Sequence, residues 1–142
     1  MRKLLLFVVF LGVPLVGSTA ESERASGFVC IPDYATGYSI GRSNKWRPIQ
    51  FDVKGKRYLL RNRSGSWFWT EFGEEPHNKD LCSAFNERGF TECKNREDEV
   101  LFNRNTLRFQ VVRSHGYVVD DAAIDKQDPS TPFYEIGTCS PL

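Results

Sequence analysis

Three observations predict that this chain folds as a mostly β domain, a small antiparallel barrel or sandwich that is disulfide-stapled and has at most one short helix. Short aromatic and β-branched segments recur at intervals of about a dozen residues, with turn residues between them. The connections are too short for the crossover that parallel strands require, which favours antiparallel neighbours. Four cysteines follow an apolar leader, an arrangement typical of exported proteins with disulfides.

Residues 1–20 have the chemistry of a cleavable signal peptide. A short basic start precedes an apolar run over residues 4–16, and small residues lead up to a cleavage point after Ala20. A run of about 13 residues is shorter than the ~20 that a membrane-spanning helix requires. We therefore expect residues 21–142 to be a single exported β domain, periplasmic or secreted, that is not membrane-embedded after signal cleavage.

The charge balance of this exported part argues against nucleic acid as a partner. Removing Arg2 and Lys3 from the 19 basic residues of the chain leaves 17, against 18 acidic residues. Binding along a phosphate backbone requires a surplus of lysine and arginine on one face. We therefore expect no nucleic-acid partner.

Alternation of apolar and polar side chains identifies the best-defined strands. Residues 49–61 predict a hairpin, because the first arm alternates with a period of two and the second returns after a turn around Gly55. Residues 100–102 and 107–111 predict a second hairpin, joined by an asparagine-rich turn. The first arm of the 49–61 hairpin belongs to a predicted strand over residues 46–53. The other predicted strands are residues 28–31, 35–40, 67–72, 90–93, 116–119 and 133–139.

A helix competes with other structures over residues 78–89. Leu81 and Phe85 share helical spacing, Asn78 could cap the start, and Gly89 could end the helix. The segment would make barely three turns, and it fits a strand or an irregular loop equally well. Both alternatives stay open from the sequence.

The four cysteines are predicted to form two disulfides, since an even number in an exported chain is typical of disulfide pairing. Metal binding is the rival interpretation, but no C-x-x-C pair exists and both histidines are isolated. Three pairings are possible. We favour Cys82 with Cys93 as a local staple, and Cys30 with Cys139 as a bridge between the two ends.

Catalytic and metal-binding motifs are not found in the sequence, which has no G-x-S-x-G, H-E-x-x-H, P-loop or G-x-G-x-x-G pattern. His77 and His115 stand in polar contexts that are typical of the surface. An acidic loop begins at Asp120, but the glycine position of an EF-hand is Asp125 and its final glutamate position is Thr131. We expect no catalytic residue, cofactor or metal.

Aromatic side chains are the most informative feature, with 11 Phe, 5 Tyr and 3 Trp in the chain. Most are expected to form the core, because rings bury large areas and pack well across strands. Since neighbours on a strand face opposite ways, Phe68 cannot share a face with both Trp67 and Trp69. We nevertheless take Trp46, Trp67, Phe68 and Trp69 as the candidate binding residues, an aromatic patch.

Three motifs occur together in the exported part. They are W-x-P-x-x-F from Trp46, which follows Ala-Thr-Gly-Tyr, F-N-x-N-T-L-R-F from Phe102, and T-P-x-x-E-I-G-T-C from Thr131. The combination resembles a family of small exported bacterial proteins of unassigned function. That resemblance implies a bacterial origin and a periplasmic or secreted location. It brings no activity, ligand or catalytic residue.

These observations favour a non-catalytic binding or interaction module, which would contact a protein or an envelope component through an aromatic surface. The alternative is a calycin-like barrel that carries an apolar small molecule in its interior. An enzyme is the least favoured of the three hypotheses, because it would need a histidine and carboxylates in one cleft.

Overall fold

The computed structural model describes residues 26–41, 45–94, 98–114, 117 and 131–142. The predicted signal peptide, most of the predicted strand 116–119 and most of the acidic loop lie outside the described residues. The described part contains these strands and a short 3-10 helix (Asn78–Asp80): β1 (Gly27–Ile40), β2 (Trp46–Phe51), β3 (Tyr58–Arg63), β4 (Ser66–Glu71), β5 (Leu81–Cys82), β6 (Phe90–Lys94), β7 (Asp98–Asn103), β8 (Arg108–Arg113) and β9 (Phe133–Pro141).

Eight strands close into an antiparallel barrel in the order β1-β3-β4-β5-β6-β7-β8-β9, and β9 pairs back with β1. The predicted β class is confirmed, and of its two alternatives the barrel is the correct one. The remaining strand, β2, pairs with β1 beside the closed ring. The second predicted hairpin is also confirmed, as β7 and β8 in full register.

The first strand is long because it serves three neighbours. One edge of β1 pairs with β3 at Gly27–Cys30 and with β2 at Ala35–Ile40, while the other edge pairs with β9. A register shift at Asp33 moves the inward-facing positions from Cys30 to Ala35. Residues 28–31 and 35–40, predicted as two strands, are therefore one bulged strand.

The hairpin predicted over residues 49–61 is wrong. β2 and β3 do not pair with each other, and instead follow one another along the same edge of β1. The connection between them contains Gly55 at a φ of +81° and passes the bulge of β1. Alternation located both strands, but it carries no information on which neighbour each strand pairs with.

The helical alternative for residues 78–89 is also wrong beyond its first turn. The 3-10 helix ends at Asp80, whose carboxylate accepts a 2.8 Å hydrogen bond from the backbone N–H of His77. Leu81 then points to solvent while Cys82 faces Cys93 directly across the β5–β6 pair. A strand satisfies this disulfide geometry, and it overrides the helical spacing of the apolar residues.

Both predicted disulfides are confirmed. Cys30 bonds to Cys139 between β1 and β9, and Cys82 bonds to Cys93 between β5 and β6. Each pair occupies directly opposed positions on neighbouring strands. The long-range bridge therefore lies on the seam where the first and last strands close the barrel.

The barrel interior is filled by aromatic rings packed against the two disulfides. Ring centroids lie 4.8 Å apart between Phe28 and Phe102 and also between Tyr58 and Trp69, and Trp69 lies 5.2 Å from Phe109. Such pairs add to the stabilisation that comes from burial alone. The rings of this core, together with those packed against it, are Phe28, Tyr58, Trp67, Trp69, Phe85, Phe102, Phe109 and Phe133.

The turn between β7 and β8 accounts for the two asparagines of the F-N-x-N-T-L-R-F motif. The Asn103 side-chain oxygen accepts hydrogen bonds from two backbone N–H groups of the turn, at 2.8 and 3.3 Å. Asn105 donates to the Arg88 carbonyl on the preceding loop at 3.0 Å. Leu107 adopts a φ of +56°, rare for leucine, and its carbonyl accepts from the Cys139 N–H.

Gly137 is where two parts of the barrel approach too closely for a side chain. It faces inward between Pro32 of β1 and Phe109 of β8. A Cβ at this position would collide with the Ile31 carbonyl oxygen and lie 2.5 Å from the Phe109 ring. The missing side chain lets the Phe109 ring cross the strand and reach Trp69.

Replacing Gly137 by alanine is expected to lower the free energy of unfolding by about 2–3 kcal/mol, because the added methyl overpacks the core. Urea unfolding followed by tryptophan fluorescence measures the change. Thr138→Ala is the matched control, since Thr138 is the next residue on β9 and is exposed. Equal stabilities for the two variants would contradict the close approach at Gly137.

Candidate functional site

The four aromatic residues predicted as a patch are not on one face of the barrel. Trp69 is buried in the core, and Trp67 points inward against Phe28 and Phe85. Phe68 lies between them on the strand, so its side chain is on the outer face and half-buried. Trp46 lies on β2, with its ring 5.7 Å from that of Tyr117.

The apolar surface of the barrel lies elsewhere, on the outward positions of β1 and β9. Ile31, Tyr34, Tyr134 and Ile136 are each between 41% and 51% exposed. Tyr34 is directly opposite Ile136, and Ile136 is in turn opposite Gln110 of β8. We call this surface the lateral face.

A concavity of about 580 Å³ indents the lateral face across β7, β8, β9 and β1. Leu101, Gln110, Ile136 and Tyr34 form a row of directly opposed outward residues over these four strands, and the first three line the concavity. Its floor is therefore apolar, with an amide in the middle. This lateral concavity is the candidate binding site of the barrel.

Polar groups of both signs surround that floor. Arg108 and Asp33 line the lateral concavity from β8 and from the bulge of β1, and both are exposed. Neither makes an ion pair with another side chain in the part of the chain that the structure describes. The Gln110 side-chain oxygen accepts a 3.0 Å hydrogen bond from the Tyr134 hydroxyl, which fixes the amide. The site thus offers an apolar anchor point between a guanidinium and a carboxylate.

A second cluster lies at one end of the barrel interior, around Glu135. This carboxylate is 1% exposed and accepts a 2.7 Å hydrogen bond from the Tyr58 hydroxyl. Lys56 pairs with its other oxygen at 3.1 Å. Burial, together with the charge of Glu135, holds the pKa of Tyr58 far above its ordinary value, so the phenol remains a donor.

Two cations, Lys56 and Arg113, and the Phe133 ring belong to the same group as Glu135 and Tyr58, which we call the barrel-end cluster. Lys56 lies 5.1 Å from the centroid of the Tyr58 ring and 5.5 Å from that of Phe133. Arg113 lies 5.0 Å from the Phe133 ring, and its guanidinium forms a bidentate pair with Asp98 at 2.7 and 3.1 Å. Positive groups are thus held against aromatic faces by buried or half-buried carboxylates.

The other groups considered from the sequence do not form a site in the described residues. His77 is exposed at the start of the 3-10 helix, whereas His115 and the acidic loop from Asp120 lie outside the described residues. No group of three or more histidines, cysteines and carboxylates that could hold a metal occurs in the described ranges. Within the same ranges, no helix has the length and hydropathy of a membrane span.

The sequence did contain a signal for the lateral face. Cys139 must face inward to bond with Cys30, and residues at even spacing on one strand share a face. Glu135 and Gly137 therefore face inward with Cys139, which forces Tyr134 and Ile136 outward. Hydrophobicity alone suggests the opposite orientation, so it does not locate the lateral face.

The fold, the lateral concavity and the cluster around Glu135 define a small disulfide-stapled β-barrel protein with an apolar lateral face. Neither a protein-family profile, nor a curated protein, nor a solved structure matches this chain. The geometry of the barrel and the chemistry of its surface are therefore the basis for inferring function.

Proposed function

We propose that this chain is a non-catalytic binding module of the bacterial envelope, periplasmic or secreted, whose lateral concavity takes an extended segment of a partner protein. The observation that carries the proposal is the outward row of Leu101, Gln110, Ile136 and Tyr34. The barrel interior already has its own apolar filling, so these side chains are not needed for the core. An exposed apolar surface with a polar rim is typical of an interaction site.

A protein segment fits this surface better than other envelope components. The concavity is within the usual size range of binding pockets, and its apolar floor suits one inserted side chain. Arg108 and Asp33 at its rim offer one guanidinium and one carboxylate, which complement a segment that bears charges of both signs. The bacterial setting rests on the leader and on the resemblance of the three motifs.

The second candidate is a calycin-like barrel that carries an apolar small molecule, with which the closed eight-stranded fold is compatible. In an eight-stranded barrel the interior holds either packed side chains or one small ligand. Here eight rings and two disulfides form the interior core of the described part or pack against it. A ligand would have to displace several of these rings, so we rank this candidate below the binding module.

Ile136→Lys is expected to reduce partner capture at least tenfold, because it places a charge on the apolar floor of the concavity. The assay immobilises the mature protein, exposes it to the envelope fraction of its source, and quantifies each retained protein by mass spectrometry. Leu81→Lys is the matched control, since Leu81 is 48% exposed on the outer side of β5, away from the lateral face. A partner is assigned to the site only if wild type and Leu81→Lys retain it and Ile136→Lys does not.

Two other outcomes contradict the proposal. Equal capture by Ile136→Lys and Leu81→Lys would remove the lateral concavity as the docking site. The second test uses mass spectrometry to compare the mass of the mature protein under native conditions with its mass after denaturation. A small apolar molecule that is released only on denaturation would favour the ligand-carrying barrel instead.

A further inference from the structure

The ammonium group of Lys56 lies in surroundings that would suit a bound ligand. It contacts the Glu135 carboxylate at 3.1 Å and lies 5.1 and 5.5 Å from the centroids of two rings, Tyr58 and Phe133. A carboxylate combined with ring faces is the arrangement by which proteins recognise ammonium ligands. The site therefore has the chemistry of an ammonium receptor, and a side chain of the same molecule occupies it.

The occupant can leave without disrupting the barrel. Lys56 belongs to the connection between β2 and β3, where its backbone N–H donates to the Val53 carbonyl across the turn at Gly55. Its side chain is 33% exposed, whereas that of Glu135 is 2% exposed. Rotation of the lysine side chain into solvent breaks no strand pairing and opens a path to the carboxylate.

The carboxylate itself cannot move out in the same way. Glu135 lies in the middle of β9, directly opposite Ala35 of β1 and Val111 of β8. With Lys56 withdrawn, the Glu135 side chain would keep one partner among the described residues, the Tyr58 hydroxyl at 2.7 Å. A buried charge that lacks a counterion is strongly unfavourable, so the open state of this site requires a cation from outside.

We propose that the barrel end around Glu135 is a binding site for a primary ammonium group on an unbranched alkyl chain, and that Lys56 occupies this site in the free protein. Incoming ammonium donates to the Glu135 carboxylate and lies against the Tyr58 and Phe133 rings, and Lys56 turns outward. The site is distinct from the lateral concavity and does not depend on the function proposed for it.

In the wild type, Lys56 lowers the affinity of the site for an external ammonium group, because it competes for Glu135 from within the same chain. A group held on the same chain acts at an effective concentration on the order of millimolar or higher, against which an external amine has to compete. Replacing Lys56 by alanine removes this competitor and leaves the carboxylate and both rings in place. The variant is therefore expected to bind n-butylammonium at least tenfold more tightly than the wild type.

Thermal unfolding of Lys56→Ala tests the site with n-butylammonium chloride as the probe. We expect the variant to melt below the wild type and to recover in n-butylammonium, but not in KCl of equal ionic strength or in n-butanol. The double variant Lys56→Ala/Glu135→Gln lacks the carboxylate and is expected not to respond. Absence of recovery, or equal recovery in the double variant, would overturn the proposal.

Displacement in the wild type is measured separately by NMR of the Lys56 side-chain ammonium in ¹⁵N-labelled protein. Titration with n-butylammonium is expected to shift this signal towards that of solvent-exposed lysines, with Lys54 as the internal reference because it is exposed on the same turn. This titration remains decisive if the alanine variant does not fold. A Lys56 signal that responds no more than that of Lys54 would identify a closed internal ion pair and overturn the proposal.

Discussion

Trp69→Ala is expected to lower the free energy of unfolding by about 3–5 kcal/mol, the range measured for large aromatic side chains removed from protein cores. Trp69 is 4% exposed, and its ring lies 4.8 Å from Tyr58 and 5.2 Å from Phe109. The indole lies between the Tyr58 ring, which is near Glu135, and the Phe109 ring, which is next to Gly137. Its loss leaves a cavity that neighbouring strands, fixed in register on both sides, cannot fill.

Phe68→Ala is the control for this prediction. Phe68 is the preceding residue on β4, has an aromatic ring, and faces outward at intermediate exposure. We expect its replacement to cost about 1 kcal/mol, because a half-exposed ring loses little buried area. Urea unfolding of both variants gives the two free energies. A cost for Phe68→Ala equal to that for Trp69→Ala would contradict the inward orientation of Trp69.

The Trp69→Ala and Phe68→Ala variants also separate an effect on folding from an effect on binding. The sequence alone makes Trp67 and Trp69 candidates for a contact surface, and a surface role would predict loss of binding in an intact fold when either ring is removed. In the structure both side chains point into the barrel. Loss of binding in Trp69→Ala would therefore report unfolding, and Ile136 is the position at which binding can be tested without damage to the core.

The sequence predicts this fold well where one signal decides the local structure. Alternation in β8 places Phe109 and Val111 in the core, and the turn at Asn103 separates β7 from β8 as expected. The disulfide pairing also follows from spacing and export. These features depend on neighbouring residues or on covalent chemistry, which are visible in the chain itself.

Other features depend on pairings that no local pattern contains. β2 and β3 have the composition of a hairpin, yet both pair with β1, because that strand offers an edge long enough for two neighbours. Leu81 has helical spacing with Phe85, yet the Cys82–Cys93 pair holds this segment in a strand. Long-range partners decide both cases.

The candidate sites could be predicted only in part for the same reason. In β9 the polar Glu135 faces inward, while Tyr134 and Ile136 face solvent, the reverse of what hydrophobicity predicts. The inward carboxylate is accommodated because Tyr58 and Lys56 come from β3 and its preceding turn to satisfy it. Such a network is assembled by closure of the barrel, so the cluster around Glu135 could not be located before the strand order was known.

Replacing Cys30 and Cys139 together by serine is expected to lower the free energy of unfolding by about 5 kcal/mol. The bridge spans 109 residues, and the cost of closing so long a loop in the unfolded chain is high in the chain-entropy model. Denaturant unfolding of the non-reduced proteins measures the change. The β1–β9 seam retains its long register of backbone pairs, so we expect a folded barrel of lower stability and not a locally open one.

The double variant Cys82→Ser/Cys93→Ser is the matched comparison, and its expected behaviour differs in kind. Its bridge spans 11 residues, which corresponds to about 3 kcal/mol in the same model. However, it lies on β5, a strand of two residues whose described register with β6 consists of the Cys82–Cys93 pair. Without the bond, β5 keeps two pairs with β4 and the hydrogen bonds that join Ser83 to Glu92 and Thr91. These are fewer pairs than any other strand of the barrel makes, so amide hydrogen exchange in β5 should accelerate beyond the change in global stability.

The two bridges therefore stabilise the barrel in different ways, and the two measurements separate them. Removing the long bridge should raise exchange rates throughout the core by a common factor, because it acts on the unfolded chain. Removing the short bridge should raise exchange rates most at β5, because this bridge acts on the native-state strand that has the fewest pairs with its neighbours. If exchange at β5 changes by the same factor as exchange in β8 in both variants, the pairing of β5 does not depend on the short disulfide. Chain entropy alone would then account for the stabilisation by both bridges.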